Sequence, residues 1–176
     1  MNPIYKPKGA AAEYGDYAVN IYTGCPHRCY YCFAPQVLHR DRETFHSCVE
    51  PRKDIVAKLR QQLEREKITG KLIHLCFTCD PYPTGYDTTT TREVISILKE
   101  YGNHVQILTK GSGRRDFDLL DKEDWYGVTI SCDRPMSDAA EPCALVPDSR
   151  LYNLEAAKRC GIRTWVNRAC SPFFTL

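Results

Sequence analysis

Residues 72–102 read LIHLCFTCDPYPTGYDTTTTREVISILKEYG and contain one whole unit of the pattern that runs through the chain. Leu72–Phe77 is an apolar run of strand length. A polar motif, Thr78-Cys79-Asp80, stands at its end. Threonines 88–91 offer N-cap oxygens, and the helix they predict carries Val94, Ile95, Leu98 and Tyr101 on one face. Gly102 suits the C′ position that closes it. Upstream, Tyr17–Tyr22 predicts a strand. After a Cys-rich loop, a helix opening near Pro51 carries Ile55, Val56, Leu59 and Leu63. Downstream come a strand over Val105–Thr109, a short helix over about Asp116–Lys122 and a strand over Trp125–Ser131. A helix from about Ser149 to Cys160, closed by Gly161, leads to a last strand, Ile162–Val166. Five strands alternating with four helices predict an α/β fold with a parallel sheet and right-handed crossovers, either flat or part of a barrel. Cys25–Cys32, Thr78–Asp80, Lys110 and Ser131 all fall at C-terminal strand ends, where parallel α/β folds gather their active sites.

The chain has 176 residues, 43% hydrophobic and 26% charged, which is ordinary for one globular domain. Its net charge of +2 is too small to argue for a nucleic-acid partner, and DNA stays open as one. Ten cysteines are many for this length. A small secreted protein would use them in disulfides, but residues 1–20 have neither the apolar run nor the cleavage pattern of a signal peptide. No stretch approaches the roughly 18 apolar residues of a membrane span. The expected setting is the reducing cytoplasm, with no membrane partner, where a tight Cys cluster reads as a metal or redox site.

Residues 24–33 read Gly-Cys-Pro-His-Arg-Cys-Tyr-Tyr-Cys-Phe, so Cys25, Cys29 and Cys32 stand in a C-x3-C-x2-C array with Tyr31 beside the last. Three thiolates on one short loop can hold three irons of a cubane cluster, whereas full thiolate ligation needs four. The fourth iron keeps an open position for a small molecule, by the logic that separates catalytic from structural zinc sites.

That loop resembles the motif of the radical S-adenosylmethionine (SAM) superfamily. Thr78-Cys79-Asp80-Pro81-Tyr82, Leu108-Thr109-Lys110, Val128-Thr129-Ile130-Ser131, and Glu141-Pro142 with Arg150-Leu151 extend the resemblance to one branch, the spore photoproduct lyase-like proteins. The resemblance implies an incomplete parallel (β/α) barrel. It also implies a [4Fe–4S] cluster on Cys25, Cys29 and Cys32, with SAM on the open iron, and reductive cleavage to a 5′-deoxyadenosyl radical that takes hydrogen from a substrate. A flavodoxin- or ferredoxin-like electron donor is expected with it. Tyr31 is expected near the adenine, and Lys110 and Thr129 beside the cofactor's carboxylate. Ser131, Thr78 and Asp80 complete the cofactor-binding set. In spore photoproduct lyase a cysteine at the end of the second strand returns a hydrogen atom to the product radical. Phe77 takes that place here, flanked by Cys76 and Cys79. Strand alternation turns Cys76 away, and Cys79 becomes the candidate catalytic thiol.

Plainer readings stand beside these. Cys29-x2-Cys32 and Cys76-x2-Cys79 match the pairs of a four-cysteine zinc module, although the 43 residues from 33 to 75 exceed ribbon spacing and Cys25 is left over. A cluster-bearing remnant without turnover is a third reading. Lys110 also reads as an exposed loop lysine, Asp80 as a turn residue before Pro81, Tyr31 as packing, and His27 as an exposed side chain. Arg114 and Arg115 read as a solvated pair. Cys48, Cys132, Cys143, Cys160 and Cys170 read as small hydrophobes or unligated thiols. Residues 1–176 are expected to form one domain, truncated after about residue 166, where the similarity to the branch stops.

Overall fold

A computed structural model of the chain describes residues 2–131 and 136–168. Its strands are β1 (Ile4–Tyr5), β2 (Tyr17–Val19), β3 (Leu72–Leu75), β4 (His104–Thr109), β5 (Trp125–Thr129) and β6 (Arg163–Asn167). Its α-helices are α1 (Ala34–Val37), α2 (Arg42–Ser47), α3 (Ile55–Glu66), α4 (Thr89–Glu100), α5 (Met136–Ala140) and α6 (Pro147–Arg159). The six described strands form one sheet in the order β1-β2-β3-β4-β5-β6. β1 is antiparallel to β2, and every later pair is parallel. An order without a reversal is that of a barrel wall, not of a doubly wound sheet, and this wall is open. The α/β class and the incomplete barrel read from sequence are as expected.

Side-chain alternation divides the sheet. Ile73 and Leu75 of β3, Val105 and Ile107 of β4, and Tyr126 and Val128 of β5 are buried in the main apolar core with α3 and α4. The opposite face is more polar. There His74 pairs through Nδ1 with Gln106 at 2.9 Å and stacks on Phe77, with ring centroids 4.2 Å apart. Tyr14 and Trp165 pack on the same face, and Trp165 lies so close over Gly127 that a Cβ there would meet its indole nitrogen at 2.2 Å.

Burial pushes the pKa of His74 down from 6.5 to about 4, against the smaller opposing effect of its Gln106 hydrogen bond. The unfolded chain therefore takes up a proton before the native one does. Stability is intact above pH 6.5 and falls as pH drops toward 4, by about 3 kcal/mol in all. His74→Leu is expected to flatten this part of the curve in denaturant titrations run at a series of pH values. An unchanged slope would count against the assignment.

Several boundaries differ from the sequence reading. β1 was not foreseen: it has two residues, and the side chain of Gln62 on α3 holds both the N–H and the C=O of Ile4, at 2.8 and 2.9 Å. Pro51 does not open α3. It forms an isolated bridge with Tyr22, and the helix starts at Ile55. α4 takes no cap bond from Thr88; instead Asp87 accepts from the Thr89 N–H at 2.9 Å. The segment expected as a helix over 116–122 is a single 3-10 stretch, Arg114–Leu119. α1, α2 and α5, of four to six residues, are too short to show an apolar stripe. β2 ends at Val19 and β3 at Leu75, each shorter than expected.

The early end of β3 has a cause. Cys76 lies in the left-handed region at φ +69°, and Asn20 Oδ1 accepts the N–H groups of both Phe77 and Thr78. Strand alternation therefore does not govern Cys76, contrary to expectation. Cys48, Cys143 and Cys160 are exposed thiols rather than small core hydrophobes, and Cys132 and Cys170 lie outside the described residues. Arg115 is not merely solvated, because it bonds the buried carboxylate of Asp116 at 2.8 Å.

Candidate radical site

The loop between β2 and α1 approaches the main chain of α2 so closely at Gly24 that a Cβ would lie 2.2 Å from the Phe45 carbonyl oxygen. The loop carbonyls are then taken up one by one. His46 donates Nδ1–H to the Cys25 carbonyl at 2.7 Å. The Arg42 guanidinium donates to the carbonyls of Cys29, Tyr30 and Cys32. α2 presents both side chains, and Asp41 caps it through the Thr44 N–H at 2.8 Å. With its carbonyls bonded outward, the loop leaves Cys25, Cys29 and Cys32 as free thiols on one cavity of about 120 Å³.

His27 is not exposed, contrary to the sequence reading; it is 1% exposed. The Thr84 N–H donates to its Nε2 at 3.1 Å, so the ring proton sits on Nδ1, which faces Asp80 Oδ2 at 3.5 Å. Burial lowers its pKa, and the ring is neutral. Asp80 gathers the strand ends. Its Oδ1 accepts from the Tyr82 N–H at 2.8 Å and from the Thr109 hydroxyl, and its Oδ2 from the Lys110 N–H at 2.8 Å. The cluster loop, the end of β3 and the end of β4 therefore meet on one carboxylate, and the turn role of Asp80 before Pro81 is part of it.

Of the residues singled out from sequence, Tyr31, Thr78, Cys79, Asp80 and Lys110 line the cavity with the three loop cysteines. The Lys110 ammonium lies 5.4 Å from the centroid of the Tyr31 ring. Thr129 and Ser131 do not line it. The Thr129 carbonyl accepts from Arg150, and the Ser131 hydroxyl donates to Glu141 Oε1 at 2.7 Å. Tyr31 also donates its hydroxyl to Glu141 Oε1, and Glu141 pairs with Arg150 at 2.6 Å. Burial pushes the Glu141 carboxyl up, but the Tyr31 hydrogen bond and the Lys110 and Arg150 charges outweigh it and hold it below the usual value. Phe33, Ala34 and Phe45 supply apolar wall.

Cys79 faces the cavity from the β3 side. Its sulfur accepts the Tyr22 N–H and that of Cys76 accepts the Ile21 N–H, both at 3.5 Å. The two thiols also bond each other. Burial drives Cys76 upward, so it stays the protonated donor. Burial acts the same way on Cys79, but the bond from Cys76 and the backbone N–H groups bring it below its ordinary value.

The donor set discriminates between metal groups. Four sulfurs around one zinc sit about 3.8 Å apart, given a Zn–S distance near 2.3 Å. Among the described residues, the one group of potential ligands within 4.8 Å of one another is His104, Asp121 and Asp124. Lys99 already occupies it, 2.7 and 2.6 Å from the two carboxylates. The loop cysteines are spread more widely, as thiols that each serve a different iron of a cubane must be. Burial pushes Cys29 up to about 11 and Cys25 well above its ordinary value, so loading a metal group would release protons.

Sequence reasoning missed Arg42, His46 and the burial of His27. Only the aromatic and basic residues of 42–46, directly after the loop, gave any signal.

Among solved structures, the chain matches spore photoproduct lyase complexed with dinucleoside spore photoproduct with a TM-score of 0.72 at 16% identity, covering 98% of this chain and 49% of that one. A variant of the lyase with bound AdoMet and dinucleoside spore photoproduct gives 0.69 at 17% identity, over 89% and 46% of the two chains. Uncharacterized proteins of Mycobacterium tuberculosis (Rv2578c) and Mycobacterium bovis (Mb2609c) are each 29% identical in an alignment 171 positions long that covers 90% of this chain. The chain spans about half the length of these curated relatives, 50% of each. No helix among the described residues is long and apolar enough to cross a membrane. The family model of the Radical SAM superfamily matches residues 19–175, nearly the whole of the sheet and its loops, and the chain belongs to that superfamily.

Proposed function

We propose that the chain is a radical SAM enzyme of the spore photoproduct lyase-like kind, with a [4Fe–4S] cluster on Cys25, Cys29 and Cys32 and SAM at the open iron. The observation that carries this is the set of three unpaired thiols on a carbonyl-capped loop at the carboxyl end of the parallel sheet. When bound, the reduced cluster would supply the one electron that breaks a carbon–sulfur bond of SAM, with methionine and a 5′-deoxyadenosyl radical as the products. The protein's own residues do the rest. Lys110 holds the cofactor's carboxylate. Tyr31, oriented by Glu141 through its hydroxyl, sits beside the adenine. Asp80 is a positioning residue, since its oxygens are taken by Tyr82, Thr109 and Lys110. Thr78 lines the cavity, the Thr129 carbonyl accepts from Arg150 behind it, and Ser131 acts through Glu141. Phe33 and Phe45 exclude water. Cys79 returns a hydrogen atom: its S–H bond breaks, a substrate C–H bond forms, and the thiyl left behind regains its hydrogen as one electron from the flavodoxin- or ferredoxin-like donor and a proton from solvent. A flavodoxin- or ferredoxin-like protein supplies the electron, in the cytoplasm.

The structural relatives bind dinucleoside spore photoproduct. With Phe77 in the donor position, this chain is proposed to share their radical-forming half and to act on a different substrate. Anoxic reconstitution with iron and sulfide is expected to give a brown protein with about four irons per chain. After reduction it should release 5′-deoxyadenosine from SAM. A colourless protein holding one zinc would overturn the cluster, and a brown one that never releases deoxyadenosine would overturn turnover. Brisk repair of spore-photoproduct DNA would overturn the divergence of substrate.

A further inference from the structure

A second cavity, of about 560 Å³, opens on the other side of Thr78 from the cluster loop. That volume is within the range of about 300–1,000 Å³ usual for small-molecule sites. Arg52, Lys53 and Lys58 line it, and no aspartate or glutamate does. Asp54, outside the lining, faces the Lys58 ammonium at 3.5 Å, and that ammonium also donates to the Lys53 carbonyl at 3.0 Å, which fixes it at the rim. Arg52 is the central cation. Its main chain is tied down by an N–H bond to the Ile21 carbonyl at 2.8 Å and by the Ile55 N–H, which donates to its carbonyl at 3.0 Å. Its Nε is buried and has no partner, and the Thr78 hydroxyl is in the same condition.

Buried donors without partners are rare in folded proteins. Arg52 and Thr78 both line the cavity, but these two atoms have almost no accessible surface, so the ligand is read from the groups that open on it. The neighbouring polar groups are donors too. Tyr5 Oη accepts from Asn20 Nδ2 at 2.8 Å, so its own proton is free to be donated. A guanidinium, the Tyr5 hydroxyl proton and two ammonium groups call for an acceptor with several oxygens and negative charge. That is a phosphoryl group, which the guanidinium fork fits two oxygens at a time. A carboxylate has too few oxygens for this set.

We infer that the cavity formed by Arg52, Thr78, Tyr5, Lys53 and Lys58 binds the phosphate of a small phosphomonoester, of about nucleotide size. Its position gives it a use. Thr78 lines both cavities, and the Arg52 charge acts on Cys79. A molecule anchored by phosphate at Arg52 extends across Thr78 toward the thiol and the cluster loop. This role, as the substrate's anionic subsite, rests on the proposed function; the binding itself does not. A net charge of +2 and one local group of three cations suit a small ligand better than a nucleic-acid strand.

The test is calorimetric titration of the reconstituted protein, without oxygen and at constant ionic strength, with inorganic phosphate, a nucleoside monophosphate and a short single-stranded oligonucleotide. Inorganic phosphate and the monophosphate are expected to bind one site per chain and to compete. Arg52→Gln should weaken both by about ten- to a hundredfold, as loss of a charged hydrogen-bonding group does. Arg60→Gln, which removes an exposed arginine paired with Glu100, should leave both unchanged. Should Arg52→Gln fail to fold, Lys53→Gln and Thr78→Val carry the same expectation, each with a smaller loss. Absence of saturable phosphate binding, or equal affinity in the wild type and the folded variants, overturns the site. An oligonucleotide that binds while the monophosphate does not overturns the small-molecule assignment. Deoxyadenosine release is read separately: its absence beside intact phosphate binding defeats the proposed function and leaves the site standing.

Discussion

Cys29→Ala will bring the iron content of the reconstituted protein from about four per chain to near zero, and Cys25→Ala and Cys32→Ala will do the same. Cys76→Ala and Cys79→Ala will keep it. In the proposed cluster each loop thiol serves its own iron, so the loss of any one leaves too few protein ligands to hold a cubane. Cys29 is the most buried of the three, and the remaining sulfur on the cavity, Cys79, stands on the β3 side and not on the loop. The fold should survive, because the loop is held by Arg42, His46 and the Asp80–His27 contact, none of which uses a thiol. Iron analysis and circular dichroism on the same samples check both halves. If Cys76→Ala emptied the site as Cys29→Ala does, the metal would bridge the two C-x2-C pairs, and the zinc reading would return.

Arg150→Met will cost about 3–5 kcal/mol of folding stability, a large share of the 5–15 kcal/mol typical of a domain. Arg150 is 0% exposed and Glu141 2%. The guanidinium meets the carboxylate at 2.6 Å and donates to the Thr129 carbonyl at 2.8 Å. Removing it strands a buried negative charge and leaves the end of β5 without its donor. Glu141→Gln should cost less, because an amide oxygen still accepts from Tyr31 and Ser131. The double variant should be less damaged than the sum of the two, since neither charge is then left alone. Urea denaturation measures all three. A loss below about 1 kcal/mol for Arg150→Met would mean that the pair is solvated in the native protein.

What could be read in the sequence was local in the chain. The three-cysteine loop declares itself because its thiols come from one short segment, so spacing alone brings them to one cavity. α3 and α4 declare themselves because twelve residues give an apolar stripe room to repeat. The misreadings all involve partners distant in sequence or single residues. His27 looks exposed until Thr84 and Asp80 are brought to it by the end of β3. Asn20 looks like one more strand residue, yet its side chain ends β3 by taking two N–H groups. The left-handed turn at Cys76 involves one non-glycine residue, for which no pattern exists. Thr129 and Ser131 were correctly set at a strand end, but which way they face depends on Glu141 and Arg150, and pairing across the fold is invisible to periodicity.

The outward bonding of the cysteine loop bears on how the protein matures. Arg42, His46 and the Asp80–His27 contact hold the loop without help from any metal. Much of the ordering entropy that a binding cluster would otherwise have to offset is thus met during folding. If the proposed cluster is present, such a chain is expected to fold before it is loaded, and to release and regain the cluster without passing through the unfolded state. Small zinc modules behave in the opposite way, since there the metal is the fold.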